Sequence, residues 1–300
     1  MYTFPPEPPT PADGTYTTII DGIEWTYTIE NGMAALRGIT DGERSRAVIP
    51  TNTTGRIVIP SNFGGCALRK ICYNAFWHCE RITSVEIPDC VRNLETQSFF
   101  RCDSLERVEI PEGVTRICQN AFYNCKRLSS VVIPKSVTFM GNDRDGNPFD
   151  ACPKLEVIEV RPGNEKYKVV DGMVLTADGK TLISVPSAWT TVVVPAGVEE
   201  LARNAVNGNT ELCSLTLPES LRRITDGLGW GCMNLERLVI PAAVAELGEN
   251  AFGNLGVKTV VDFMGAPPGG TDAVSSHALT ATYASPFVAE WENVIESDGT

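Results

Sequence analysis

One stretch of sequence recurs along this chain and constrains its fold more than any other feature. The stretch RICQNAFYNCKRLSSVVIP ends at Pro134, and close counterparts end at Pro88, Pro111 and Pro241. Where nothing is inserted, successive copies are 23 residues apart. A fixed period of this size indicates stacked repeats, in which chain length reflects the number of coils rather than the size of one core.

Each copy places the same kinds of residue at the same positions. An Ala-Phe pair, such as Ala121 and Phe122, is followed three residues after the Phe by a cysteine, which gives a column of Cys79, Cys102, Cys125, Cys152 and Cys232. The second half of the copy reads L-x-x-V-x-I-P. Alternating apolar residues predict a short strand with one buried face, and the proline ends it because proline donates no ladder hydrogen bond.

One such strand cannot bury its apolar side alone, so the copies are expected to stack with their strands in parallel, about 4.8 Å apart. The sequence therefore predicts a mostly β solenoid of about ten coils of the 23-residue repeat. In the segment between strands, Val114, Ile117, Ala121 and Phe122 are expected to point inward, with a turn of helix near the Ala-Phe pair.

Turn signals interrupt the repeat at two places. Near the N-terminus, Asp21-Gly22 and Asn31-Gly32 predict a β-meander that caps the first coil. Later, MVLT and TLIS flank ADGK, which predicts an inserted β-hairpin that projects from the solenoid or packs on its edge. The expected organisation is a Pro-rich linker (1–14), an N-terminal β cap (15–45), a solenoid (46–264) with the hairpin insert at about 161–190, and a C-terminal cap or tail (265–300) in which Tyr283, Phe287 and Trp291 cover the last coil.

Charge and composition exclude some partners. The formal net charge is -12 and the pI about 4.7, so nucleic acid and anionic lipid would be repelled by most of the molecule. No apolar run is long enough for a spanning helix, and the N-terminus lacks the layout of a signal peptide. We interpret the chain as a secreted protein from which the signal has been removed. The count of ten cysteines alone does not decide between disulfides and thiols.

The pattern I-G-x-x-A-F-x-x-C-x-x-L-x-x-V-x-I-P resembles the BspA-type leucine-rich repeats, over roughly Val48 to Phe263. The interruption of Asn164 and Tyr167 followed by an Asp-Gly hairpin is also similar to that family, as is the segment IPSNFGG before Cys66. The departures are Cys72 and Cys118 in place of Gly, Val206 in place of Phe, and Gly229, which leaves a gap in the Phe column. The resemblance implies a non-enzymatic bacterial surface protein that binds other proteins, in some cases host matrix components, and it supplies no ligand-binding residues.

The cysteine column favours buried free thiols. Side chains in one solenoid column point in parallel, whereas a zinc site needs converging ligands and a relaxed disulfide needs a different torsion. Buried thiols pack as small hydrophobic groups. Cys66, Cys90 and Cys213 lie outside the column, so a disulfide among them stays open, as does an exposed reactive thiol at Cys213.

Two further motifs contain residue types that occur in catalytic and metal sites. His78 precedes Cys79, but adjacent residues on a turn point in different directions, so we interpret His78 as a loop histidine rather than as half of a catalytic dyad. Oxygen-bearing residues alternate in the loop that contains Asp143, Asp145, Asn147 and Asp150, but no Glu follows at the distance that a calcium loop requires. We interpret this loop as a polar insertion, and we expect no cofactor and no metal.

The outward positions of the repeat strands form the candidate partner-binding surface. We call these residues the strand face: Ser84, Glu86, Arg107, Glu109, Ser130, Val132, Val157, Glu159, Ser214, Thr216, Arg237 and Val239. The exposed valines are either tolerated strand formers or part of a contact patch. The sequence predicts a monomeric, non-enzymatic adhesion module at the surface of a bacterium, which binds a protein, such as a host matrix component, or a glycan. The alternative is a structural spacer that holds another domain away from the cell.

Overall fold

A computed structural model describes residues 11–41, 44–141, 146–229, 231–248, 251–252, 255–256, 259–265 and 280–283, with side chains undescribed at 40, 41, 44, 45 and 280–283. Strands and turns make up the described part of the chain, which contains no helix. No segment there has the length and apolar character of a membrane-spanning helix.

The chain begins with an antiparallel meander, as expected. Its strands, with the hairpin that follows them, are β1 (Gly14–Ile20), β2 (Ile23–Glu30), β3 (Met33–Leu36), β4 (Ile39–Asp41) and β5 (Arg44–Arg46). The turns β1–β2 and β2–β3 have positive φ at both central residues, Asp21-Gly22 and Asn31-Gly32, which matches the right-handed twist of a hairpin. Strand β3 then pairs in parallel with the repeat strands and so connects the cap to the solenoid.

The first group of repeats builds two parallel ladders. Its strands are β6 (Gly55–Val58), β7 (Asn62–Phe63), β8 (Cys66–Ile71), β9 (Ile82–Glu86), β10 (Asn93–Leu94), β11 (Arg107–Glu109), β12 (Arg116–Ile117), β13 (Ser130–Ile133), β14 (Phe139–Met140) and β15 (Val157–Val160). The strands of the L-x-x-V-x-I-P motif, β6, β9, β11, β13 and β15, form one ladder. Strands β8, β10, β12 and β14 form the other, and β7 pairs with β8.

The prediction of a helical turn near the Ala-Phe pair was wrong. Residues on both sides of the pair adopt left-handed backbone angles: Asn120 has φ of 55° before Ala121-Phe122, and Asn124 has 55° after it. A left-handed residue ends a right-handed helix, so only isolated turns form. Val114, Ile117, Ala121 and Phe122 are nevertheless fully buried, as predicted.

The insert forms a second meander rather than a projecting hairpin. Strands β16 (Tyr167–Val170), β17 (Met173–Thr176) and β18 (Thr181–Ser184) pair antiparallel in sequence order, with Asp178-Gly179 between the last two. Strand β18 then pairs in parallel with the next repeat strand. Of the two expected placements, the projecting one was wrong, because β17 and β18 are buried on both faces, which the alternation of MVLT and TLIS does not reveal.

The second group of repeats continues from this meander. Its strands are β19 (Thr191–Val193), β20 (Glu200–Leu201), β21 (Ser214–Thr216), β22 (Arg223–Ile224), β23 (Arg237–Ile240), β24 (Glu246–Leu247), β25 (Val260–Phe263) and β26 (Thr280–Tyr283). Strands β19, β21, β23, β25 and β26 form one ladder, and β18, β20, β22 and β24 the other. The solenoid has about nine turns. Phe287, Trp291 and the side chain of Tyr283 lie outside the described residues.

Two hydrophobic cores fill the solenoid. The first is organised by a stack of phenylalanines, with ring centroids 4.8 Å apart for Phe76–Phe99, 5.1 Å for Phe99–Phe122 and 5.8 Å for Phe122–Phe149. The second begins at the insert and has Val206 where this column would continue. The meander separates them, since Val174 and Ile183 belong to the first core and Met173, Leu175 and Leu182 to the second.

Candidate binding surfaces

The predicted strand face lies on two ladders, one in each group of repeats: β6, β9, β11, β13 and β15 in the first, and β19, β21, β23, β25 and β26 in the second. Its side chains alternate with buried ones, such as Val108 and Ile158, so they point away from the core. The register aligns Ser84, Arg107, Ser130 and Val157 in one row. Glu86, Glu109, Val132 and Glu159 form a second row on the same strands. Ser214, Thr216, Arg237 and Val239 lie on the other ladder, so the structure divides the strand face into two patches.

Sequence reasoning missed several members of this surface. Arg56 and Val58 extend the first patch, and Thr191 and Val193 extend the second. Asp262 lies in register with Val239 but is buried, and it forms an ion pair with Arg237. Val58 and Val193 are 49% and 59% exposed, more than the predicted Val157 at 44%. The sequence contains the signal for these outward residues, because the strands that end at Pro60 and Pro195 show the same alternation as the other repeats.

Acidic groups dominate one edge of the first patch. A groove of about 950 Å³ runs along the proline ends of these strands, and it is lined by Glu86, Asp89, Glu109 and Glu112, with Arg161 at one side. Arg161 forms an ion pair of 3.6 Å with Glu112, and Arg56 pairs with Glu86. The other two carboxylates of the groove, Asp89 and Glu109, form no ion pair among the described residues, so a basic group on a partner would meet favourable charge there.

The cysteines form a buried column of free thiols, as predicted. Three thiols of the column donate to the carbonyl of the Phe-column residue one coil earlier: Cys102 to Phe76 at 3.3 Å, Cys125 to Phe99 at 3.3 Å and Cys152 to Phe122 at 3.0 Å. Cys232 donates in the same way to Val206 at 3.4 Å. Outside the column, Cys66 is buried, Cys90 half-buried and Cys213 exposed, and all three are free thiols. The column therefore satisfies backbone carbonyls that the turns leave inside the core.

His78 and Asn147, from the two other motifs, both contact neighbouring polar groups of the protein. The His78 Nδ1 atom lies 2.9 Å from Glu80 Oε1, and burial raises the pKa of the Cys79 thiol to about 12. In the insertion loop, Asp143 and Asp145 lie outside the described residues. Asn147 Oδ1 accepts hydrogen bonds from the Phe149 N–H and the Ser184 hydroxyl, both at 3.0 Å, so it is committed to the protein.

The fold is a leucine-rich-repeat solenoid. Its strands pair in parallel ladders, its Leu, Val and Ile side chains point inward, and a cysteine recurs in the turn of most repeats. The chain belongs to the BspA-type leucine-rich repeat family, whose repeat region matches in six copies over residues 53–167 and 186–263. The search of curated proteins gives no match.

Solved structures share the fold. The pneumococcal vaccine antigen PcpA has 18% sequence identity and a TM-score of 0.52, covering 84% of this chain and 82% of its own. A leucine-rich cell surface protein from Faecalibacterium prausnitzii A2-165 has 18% identity and a TM-score of 0.54, covering 93% of this chain and 97% of its own. At these identities the likeness concerns the fold alone.

Proposed function

We propose that this chain is a non-enzymatic binding module, displayed outside a bacterial cell, that recognises a protein partner through the strand face. Leucine-rich repeat proteins are generally non-enzymatic binding modules. A surface location is in keeping with the similar Faecalibacterium prausnitzii structure, which is a cell surface protein. Monomeric display suits the proposal, because each copy then presents its own strand face.

The observation that carries this proposal is the mixed chemistry of the first patch. Exposed Val58 and Val157 lie on the same ladder as the Arg56–Glu86 ion pair and the acidic groove. Apolar contacts next to charged groups are typical of protein interfaces, where apolar area supplies affinity and charge supplies orientation. The acidic groove favours a partner segment that carries Lys or Arg.

The test is binding of the purified chain to an array of extracellular matrix proteins. One variant changes Arg107, Glu109, Val157 and Glu159 to Ala together. We expect saturable binding by the wild-type chain and at least a tenfold loss in this variant, with weaker wild-type binding at high salt. Melting curves establish that the variant is folded.

A matched control changes Lys135, Glu211, Glu219 and Met233 to Ala. These exposed residues repeat the same set of one basic, two acidic and one apolar side chain, but they lie on turns away from the strand face. Binding should be unchanged in the control. Equal losses in both variants would contradict recognition by the strand face, and no binding to any protein would favour the spacer.

A further inference from the structure

A cleft of about 560 Å³ lies on the turns that follow the Phe column, where the two groups of repeats meet. It is lined from both sides of the insert, by Tyr123, Asn124 and Asp150 before it and by Arg203, Asn204 and Asn207 after it. Its volume lies within the range of small-molecule sites. The cleft is separate from the strand face, so it does not depend on the function proposed above.

Two lining residues carry buried oxygen atoms that lack a donor. Asp150 and Asn207 are only 2% and 7% exposed, and Asn207 Nδ2 donates to Asp150 Oδ2 at 2.6 Å. The Oδ1 atom of each has no hydrogen-bond partner among the described residues. A buried acceptor without a donor costs about 1–3 kcal/mol. A ligand that donates hydrogen bonds here would offset that cost.

An aromatic ring borders the same cleft. The residue after the Phe column is Trp77, Phe100 and Tyr123 in successive coils and then becomes Asp150 and Asn207. The Phe100 and Tyr123 rings stack at 5.0 Å with an interplanar angle of 6°, so one face of Tyr123 is covered. Tyr123 lines the cleft, and the short Asp150 follows it in place of a third stacked ring, so the next coil supplies no aromatic ring to cover the other face of Tyr123.

The charges in the cleft favour a neutral ligand. The Arg203 guanidinium and the Asp150 carboxyl belong to the same lining, so neither a cation nor an anion meets a field of one sign. The remaining polar side chains of the lining carry carboxamides or hydroxyl groups, which both donate and accept hydrogen bonds.

We propose that this cleft binds a neutral saccharide unit of a glycan, with the open face of Tyr123 against the C–H face of the sugar and with Asp150 and Asn207 accepting hydrogen bonds from its hydroxyl groups. A ring face beside carboxyl and carboxamide groups matches the two surfaces of a pyranose, one apolar and one rich in hydroxyls. A ligand held there contacts both groups of repeats at once.

The test measures binding of the full chain to methyl glycosides of glucose, galactose, mannose and N-acetylglucosamine at millimolar concentration by saturation-transfer NMR, and to an array of neutral oligosaccharides. Two variants remove the proposed contacts: Tyr123→Leu deletes the ring but retains apolar packing on Phe100, and Asp150→Asn preserves shape. The control is Trp77→Leu, in the same column but outside the cleft.

We expect saturable binding of at least one probe, a loss of tenfold or more in both variants, which corresponds to about 1.4 kcal/mol, and unchanged binding in the control. If Tyr123→Leu fails to fold, Asp150→Asn alone decides. Absence of binding to every glycoside and oligosaccharide overturns the proposal. It is equally overturned if binding persists in Asp150→Asn, or if methylammonium or acetate binds in place of the sugars.

Discussion

Asp150 carries a carboxyl group that folding removes from water. Burial raises its pKa from the ordinary 3.8 to about 7, against the lowering effect of hydrogen bonds from Asn207 and from the Ala151 backbone. A folded-state pKa above the unfolded value means that the folded protein binds more protons. Ionisation of Asp150 therefore lowers the free energy of unfolding progressively as the pH rises from about 4 to about 7. Above about pH 7 the free energy of unfolding falls no further on account of this group.

The variant Asp150→Asn should remove this pH dependence. Relative to wild type, its free energy of unfolding should rise between pH 4.5 and pH 8 by as much as about 4 kcal/mol, the equivalent of a shift of roughly three pKa units. Urea denaturation at a series of pH values measures the difference. The exposed Asp89→Asn is the control and should follow wild type. Parallel profiles for wild type and Asp150→Asn would show that the carboxyl is solvated.

Thiol reactivity should separate the cysteines by burial. Burial raises the pKa of Cys72, Cys79 and Cys232 to about 12, so these thiols present almost no thiolate at pH 8. The exposed Cys213 should react first with an aromatic disulfide reagent, and the buried column only after unfolding. Mass spectrometry of labelled peptides identifies the sites. The variant Cys213→Ser should lose the fast phase, and fast labelling of Cys79 would contradict the buried column.

The sequence correctly predicted whether a side chain faces the core or the solvent wherever the repeat period alone determines it. Alternation placed Arg107 and Glu109 outward, and the column placed Cys102 inside. It did not predict the partner of Cys102, because Phe76 lies one coil earlier and its carbonyl is exposed to the core only by the turn geometry. The cleft was missed for a similar reason. Asp150 and Asn207 are 57 positions apart, on either side of the insert, and only the folded structure brings them into contact.

At the scale of elements, the insert repeats the architecture of the N-terminal cap. In both, a three-stranded antiparallel meander ends in a strand that starts a parallel ladder, β3 with β8 and β18 with β20. The insert differs by being packed on both faces, since Val174 faces the first core and Leu175 the second. The turn sequences predict the N-terminal meander and the hairpin of the insert, whereas the third strand of the insert and its burial on two sides depend on what stacks next to it.

A pair of matched glycines tests this packing. Gly22 and Gly172 follow Asp in equivalent turns and share a φ of 78°, but only Gly172 has a close neighbour, because an added Cβ would lie 2.6 Å from the Trp189 ring. Gly22→Ala should cost about 1 kcal/mol for its left-handed backbone. Gly172→Ala should cost about 1–3 kcal/mol more, because overpacking adds to that strain.

Urea denaturation of both variants measures these costs. Combining Gly172→Ala with Trp189→Ala should recover part of the excess, since the clashing ring is gone. Equal costs for the two glycine variants would contradict close packing of Trp189 on the insert.

At the scale of the whole molecule, the solenoid consists of two hydrophobic cores joined at a seam that is partly polar. The Phe stack ends at Phe149, and contacts across the seam include hydrogen bonds from Ser184 to Asn147 and from Asn207 to Asp150. Repeat proteins are stabilised by contacts between neighbouring coils, so a weak interface between two coils divides them into cooperative units. Buried polar pairs contribute less net free energy than the aromatic contacts they replace.

Equivalent substitutions in the two cores should therefore act locally. Leu128 and Leu235 occupy the same repeat position and are 0% and 2% exposed, in the first and second core respectively. Leu128→Ala and Leu235→Ala should each cost about 2–5 kcal/mol in the affected core. Hydrogen exchange followed by mass spectrometry should show lost protection mainly in β9, β11 and β13 for Leu128→Ala, and mainly in β21, β23 and β25 for Leu235→Ala. Equal loss of protection in both sets of strands, for either variant, would contradict this expectation. It would mean that the two cores unfold together as one cooperative unit.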